Sequence, residues 1–338
     1  MTKIDPPSLA RLSVDRRGFL AFGAGVFAVA GVPLAMYRRV RQPVLVRRSI
    51  PVMGTIAEVV VVHRDVHVAH AAIDAAFDAL RWVETTMTRF TTTSDVGRAN
   101  LHASRAAVAV SPETALVVAE ALRWAKETNG RYDPAVGRVV QLWDVLNRHA
   151  PPPREELVPL AGRTLFHAVE VDQSRGAPAL IYHEPDVALD LGAVAKGYAV
   201  DRATQALREH GIEHGVVIAG GDLYALGRGI DDEPWTIGIR DPHDTRATVG
   251  TLRVSDGAVA TSGTYFRYFM YRGTRYHHLM DPDVAAPRRT PVESFTICAD
   301  SCMHADVATT ALFGLDASRA EPVLARMAPG ARVASVLG

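Results

Sequence analysis

Apolar residues fill almost every position of Ile56-Ala57-Glu58-Val59-Val60-Val61-Val62, just after the turn-like Met53-Gly54-Thr55, and so dense a run predicts a buried strand. The period then changes. Ile73, Phe77, Leu80 and Met87 fall on one helical stripe, with Asp74, Asp78 and Arg81 on the wet side. A second helix is expected to start at Ser111-Pro112-Glu113, where serine caps, proline fits the first turn and glutamate suits the dipole; Asn129-Gly130 should stop it. Val187-Ala188-Leu189 reads as a short strand leading into a glycine turn. The helix that follows carries Val200, Ala203 and Leu207 on one face and ends at Gly211. Further strands are expected at Gly215-Val216-Val217-Ile218, broken by Gly220-Gly221, then at Trp235 to Ile239, Gly250 to Val254 and Tyr265 to Tyr271. Ala308, Ala311 and Leu312 suggest a late helix that Gly314 ends. Many short strands and a few helices, without strict alternation, make the fold class α+β. No short-period repeat or low-complexity segment is visible, and Pro151-Pro152-Pro153 marks an exposed connection.

The N-terminus reads differently. Asp15-Arg16-Arg17-Gly18-Phe19-Leu20 precedes a stretch that stays uncharged and weakly hydrophobic through Tyr37. Paired arginines before such a run are the pattern of a twin-arginine export signal. The expected location is periplasmic or on the outer face of the cytoplasmic membrane. Residues 18–37 are also long enough for one membrane span, and Ala28-Val29-Ala30 offers a cleavage site, so anchored and processed forms both stay open. The division expected is 1–45 as signal or anchor plus an arginine-rich linker, and 46–338 as the functional domain.

The 338 residues are 48% hydrophobic and carry 37 basic and 37 acidic side chains. That is an enzyme-sized globular chain, and its balanced charge gives no reason to propose a nucleic-acid partner. Its two cysteines, Cys298 and Cys302, cannot make a zinc site alone. Two buried thiols are expected.

Candidate chemistry is concentrated in Asp190-Leu191-Gly192-Ala193-Val194-Ala195-Lys196-Gly197-Tyr198. A glycine turn entering a helix lets main-chain N–H groups approach an anion, and Lys196 adds a full positive charge, so a diphosphate is the natural guest. Neither the dinucleotide fingerprint nor the P-loop pattern is present. Asp306 and Thr310, four apart on the late helix, put a carboxylate and a hydroxyl on one face. That pairing suits a hard cation such as Mg²⁺, although an N-terminal cap followed by an ordinary helical threonine is the competing reading.

Together with Gly220-Gly221-Asp222, His277-His278-Leu279-Met280-Asp281-Pro282 and Asp306-Val307-Ala308-Thr309-Thr310, the glycine turn resembles the ApbE family from about Arg47 onward. The resemblance implies an ApbE-like, T-fold-related domain of two α+β lobes, with mixed or antiparallel sheets, flanking helices and FAD held between them. It implies Mg²⁺-dependent transfer of FMN from FAD to a threonine or serine of a target flavoprotein. His278 would be the catalytic base, with His277 its rival. Asp306, Thr310 and the Ala193 carbonyl would hold the metal. Met53, Arg131, Tyr132, Asp133, Asp190, Lys196 and Leu279 map to FAD contacts, the Tyr132 ring being placed to pack against flavin. Thr88-Arg89-Phe90, Ser94 and Asn100 resemble a further signature of the family.

Two departures stand out. Relatives commonly continue Asp-Pro-x-Thr-Gly where this chain has Asp281-Pro282-Asp283-Val284-Ala285, and Ile218 replaces a frequent asparagine. The implied partner is an exported or membrane-bound flavoprotein bearing a [Ser/Thr]-Gly-Ala-[Ser/Thr] segment, which this chain itself lacks. FAD hydrolysis to FMN and AMP, and non-catalytic FAD binding, are the alternative readings.

Overall fold

The computed structural model describes residues 42–338 apart from 175 and 245. The twin-arginine pattern, the uncharged run and the cleavage motif therefore lie outside the described residues. Among those residues no helix is long and apolar enough to cross a membrane.

A seven-stranded antiparallel sheet organises the chain. Its strands are β1 (Val44–Val52), β2 (Thr55–His63), β3 (Gly215–Ala219), β4 (Asp222–Leu226), β7 (Gly257–Gly263), β10 (Ser294–Ala299) and β11 (Arg332–Leu337), in the order β1-β2-β3-β4-β7-β10-β11. The strands β5 (Trp235–Arg240) and β6 (Thr248–Val254) form a separate hairpin, as do β8 (Tyr268–Tyr271) and β9 (Thr274–His277). The continuous apolar run in β2 has a direct cause. Val59 and Val61 enter the main core, while Val60 and Val62 face a second cluster with Trp235 and Ile237 of the β5–β6 hairpin. A strand covered on both faces has no position for an exposed polar residue.

The main core is closed by helices α1 (Val66–Met87), α2 (Asp95–His102), α3 (Pro112–Glu127), α4 (Ala195–Glu209), α5 (Cys302–Ala311) and α6 (Ala317–Met327). Ile73, Phe77, Leu80 and Met87 are buried on α1, as the stripe requires. Ser111 caps α3 by accepting from Thr114 N, with Pro112 in the first turn. Left-handed Asn129 and Gly130 follow its end.

Two expected strands are corrected. Val187-Ala188-Leu189 forms only a bridge from Ala188 to Val136, because its backbone groups go elsewhere. Leu189 N and O bond the Asn100 side chain at 2.7 and 2.9 Å, and Asp190 N donates to Pro134 O at 2.8 Å. The segment is extended but has no strand neighbour. Residues 265–267 turn instead of pairing, so β8 begins at Tyr268.

Candidate functional site

Three side chains meet where α4 crosses α5. Lys196 Nζ lies 2.7 Å from Asp222 Oδ2 and 2.8 Å from Asp306 Oδ1, and Gly197 N donates to Asp306 Oδ2 at 2.9 Å. Gly197 is the third residue of α4, so its N–H has no acceptor within the helix, and the Asp306 carboxylate satisfies it.

This close crossing needs Gly197. A Cβ there would stand 2.2 Å from Cys302 O and 2.7 Å from Met303 Cα. Asp201, one turn further along α4, locks the crossing by accepting from Ser301 Oγ, Cys302 N and Met303 N at 2.8, 2.8 and 2.9 Å. Both clamp residues lie on one face of α4, yet nothing in the sequence marks Asp201, since its partners are distant backbone groups.

Asp306 is not a helix cap. Ser301 caps α5, and Asp306 stands inside the helix with its side chain buried. Thr310 stays partly exposed one turn later, with its hydroxyl 3.4 Å from Ser262 Oγ. Burial pushes the Asp222 carboxyl up to about 7, assisted by the Asp306 charge and opposed by Lys196. Burial works against the Lys196 charge too, but the two carboxylates more than offset it and hold its pKa above the ordinary lysine value. Lys196 is thus a buried counter-ion rather than a solvated lysine.

Of the oxygens that the resemblance assigns to Mg²⁺, those of Asp306 and Thr310 stand one turn apart on α5, while Ala193 lies in the turn before α4; a carboxylate, a hydroxyl and a main-chain carbonyl are the kind of donors that Mg²⁺ accepts alongside water and phosphate. Among the described residues no group of three His, Cys, Asp or Glu side chains is placed to hold a metal. A softer transition metal finds no nitrogen or sulfur cluster in them.

The paired histidines separate clearly. His277 is buried, and both ring nitrogens are used: Nε2 contacts Arg288 O at 3.0 Å and Nδ1 accepts from Leu279 N at 3.3 Å. His278 is partly exposed. Its Nδ1 lies 3.3 Å from Arg267 O, which also accepts from His278 N at 3.1 Å. A carbonyl only accepts, so this bond puts the proton on Nδ1 and leaves Nε2 with its lone pair free for other work. Desolvation, then the Arg267 and His277 charges, pushes His278 down to about 3, while His277 is lowered to about 4 by its own burial. Arg267 also reaches the β1–β2 turn, donating from Nη2 to Gly54 O at 3.2 Å.

The remaining candidates are mostly committed to structure. Asp190 pairs with Arg89 Nε at 2.8 Å and accepts from Gly192 N at 2.8 Å. Asp133 accepts from Ala135 N and Phe166 N at 2.7 and 3.1 Å, and burial raises its carboxyl to about 6. Arg131 Nη2 donates to Phe313 O just past α5 at 2.6 Å. Met53 has a left-handed φ of 54° in the β1–β2 turn, and its N–H donates to Glu84 Oε1 at 2.6 Å. Leu279 is buried, and its carbonyl accepts from Arg288 N at 2.8 Å. Tyr132 is 6% exposed, so its ring belongs to the main core rather than to an open shelf. Ser94 is the cap of α2, and Asn100 holds Leu189.

Both departures have structural readings. Ala285 adopts a φ of 49°, keeping the left-handed turn without a glycine, and its carbonyl accepts from Trp143 Nε1 at 2.8 Å. Ile218 pairs with Glu58 across β2 and β3, and Glu58 Oε1 is buried without a hydrogen-bond partner among the described residues. Cys298 and Cys302 are both free, Cys302 buried and Cys298 partly so.

The model of the ApbE family matches residues 53–334. The FAD:protein FMN transferase of Treponema pallidum (strain Nichols) is 34% identical over 278 residues, spanning 78% of this chain and 77% of its own length. The protein of the same name from Vibrio cholerae serotype O1 is 33% identical, spanning 81% of this chain and 82% of its own. Among solved structures, the ApbE protein of Thermotoga maritima superposes with a TM-score of 0.77 at 29% identity, over 87% of this chain and 96% of that one. The flavin transferase ApbE from Vibrio cholerae gives 0.72 at 30% identity, over 84% and 91%.

Proposed function

This chain belongs to the ApbE family and is an FAD:protein FMN transferase, and we propose that it esterifies FMN to a threonine or serine hydroxyl of an exported or membrane-bound flavoprotein, using Mg²⁺. The observation that carries the site assignment is the arrangement of His278. Its Nδ1 is anchored on Arg267 O, and its partly exposed ring leaves Nε2 as the available base.

The chemistry is an in-line displacement at the phosphorus nearest riboflavin. The acceptor hydroxyl oxygen forms the new P–O bond, the bond to the bridging oxygen breaks, and AMP leaves with that electron pair. His278 Nε2 takes the hydroxyl proton. An imidazole neutral at working pH is ready for this, and the anionic substrate beside it strengthens its hold on the proton once taken. Lys196, fixed between Asp222 and Asp306, offsets their negative charge and holds the Asp306 carboxylate in place. Asp306, Thr310 and the Ala193 carbonyl would hold Mg²⁺, which supplies charge neutralisation at the diphosphate when bound.

The acceptor is a protein with a [Ser/Thr]-Gly-Ala-[Ser/Thr]-like segment. Export by the twin-arginine route, with the domain on the outer side of the cytoplasmic membrane, accords with the Arg16-Arg17 pattern.

The test is incubation with FAD, Mg²⁺ and a protein bearing that segment, read by intact mass and AMP release. A covalent FMN adduct that disappears with His278→Ala or with a chelator supports the reading. AMP and free FMN without an adduct would mean that water is the acceptor. Bound FAD with no AMP would mean a binding protein.

A further inference from the structure

The hairpin of β8 and β9 leaves the outer edge of β8 open. His278 N donates to Arg267 O at 3.1 Å, which makes Arg267 and His278 a hydrogen-bonded pair at the open end of the hairpin. Along an antiparallel ladder such pairs alternate with unbonded ones. Tyr268 opposite His277 and Met270 opposite Arg275 are therefore unbonded pairs, and the N–H and C=O groups of Tyr268 and Met270 point away from β9. Among the described residues β9 is the only strand paired with β8, and no loop bonds those main-chain groups.

The hairpin is nevertheless well anchored. Its turn has left-handed Arg272 and Gly273, the conformation that fixes a two-residue connection. On one face Phe269 stacks on Tyr276 and Trp143, with ring centroids 5.3 and 6.4 Å away. On the other, Tyr268 and Met270 are 41% and 54% exposed. An ordered edge with unpaired main-chain groups and exposed apolar side chains is a template for one further strand.

We propose that this edge of β8 docks the acceptor protein, an extended segment of which adds beside it as a third strand. The inference rests on the FMN-transfer reading above and names where its protein substrate binds. Two observations choose that occupant. The edge runs directly into Arg267, whose carbonyl anchors the base His278. Strands in a sheet lie about 4.8 Å apart, so an added strand passes about 10 Å from His278, a gap that about three extended residues close. Residues 265–278 also include Arg267, Arg272 and Arg275 and no acidic side chain, and of these three Arg275 pairs with Glu293. The positive charge that remains favours an acidic segment. Main-chain pairing suits an acceptor motif of small residues, whose side chains offer little to grip.

Two substitutions test the edge without touching the site. Met270→Pro removes an outward N–H and none of the bonds between β8 and β9. Met270→Glu keeps that N–H and sets a negative charge against the segment at an exposed position. The full-length parent and both variants are given saturating FAD and Mg²⁺, with increasing amounts of a test protein that carries the [Ser/Thr]-Gly-Ala-[Ser/Thr] segment in an extended acidic loop. Both variants should raise KM for the test protein about 3- to 10-fold, with FAD affinity and melting temperature at the parent values. In the parent, hydrogen exchange at the Tyr268 and Met270 amides should slow when the test protein is added. A parent-like KM in both variants, or unchanged exchange at those amides, overturns the inference. So does a loss of FAD affinity in step with transfer, since the strand would then serve the FAD site. Absence of an FMN adduct with the parent enzyme would instead overturn the FMN-transfer reading, and this inference with it.

Discussion

Lys196 Nζ lies 2.8 Å from Asp306 Oδ1, a carboxylate 110 residues further along the chain, and so joins the first turn of α4 to the middle of α5. The same ammonium neutralises Asp222. Replacing it leaves two buried carboxylates facing one another.

Lys196→Met should therefore lower unfolding free energy by about 3–5 kcal/mol, the usual cost of removing one member of a buried pair. The sign of its pH dependence follows from Asp222. Its folded pKa, about 7, lies above the ordinary value of 3.8, so protonation favours the folded state. The loss should be largest above pH 7 and shrink towards pH 4. Urea unfolding across this range checks it.

Gly197→Ala places a Cβ 2.2 Å from a backbone oxygen, which no rotamer change relieves. The two helices must separate, weakening the Gly197 N to Asp306 bond. A loss of about 1–3 kcal/mol is expected from the overpacking, with weaker Mg²⁺ binding in calorimetry. A variant indistinguishable from the parent in both would show that the crossing is looser than described.

The histidines should respond differently. His278→Ala is expected to abolish FMN transfer while leaving FAD binding and melting temperature near the parent values, whereas His277→Ala should first destabilise the fold, because both its nitrogens are bonded.

Both histidines have folded pKa values below the ordinary 6.5, about 4 for His277 and about 3 for His278. Their contribution to stability is thus complete above pH 6.5 and is lost as pH falls towards 3. Asp222 and Asp133, raised to about 7 and about 6, act in the opposite sense over this range, so the decline is read as the difference in unfolding free energy between the parent and His277→Asn from pH 8 to 4. The FAD-free protein should show no imidazole titration at His278 near pH 6.5 by NMR.

Ala285→Gly should stabilise the protein by about 0.5–1 kcal/mol. The left-handed φ of 49° costs alanine about 1–2 kcal/mol, and the greater freedom of glycine in the unfolded chain returns part of the gain. A raised melting temperature with unchanged FMN transfer is the expected result.

Much of the fold was legible from local pattern. The α1 stripe, the Ser111 cap and the apolar run of β2 each depend on contacts that periodicity or neighbouring residues encode. Val187 to Leu189 misled for a related reason: an apolar triplet looks like a strand, but Asn100 and the Pro134 loop take its backbone bonds.

At the site, motif resemblance singled out His278, Lys196, Asp306 and Thr310 as candidates, and helical spacing put Asp306 and Thr310 one turn apart wherever α5 lies. The sequence favoured His278 over His277 only through the resemblance, and it did not reveal Asp201 as a clamp or show that Asp190 and Asp133 have their oxygens engaged. Those outcomes turn on which backbone groups arrive from Arg267, Arg288, Cys302 and Phe166. By itself the sequence determined the α+β class, the family and the chemical vocabulary of the site. The tertiary structure decided which of those groups are spent on the fold and which remain for a ligand, since hydrogen bonding and burial depend on neighbours brought from distant parts of the chain.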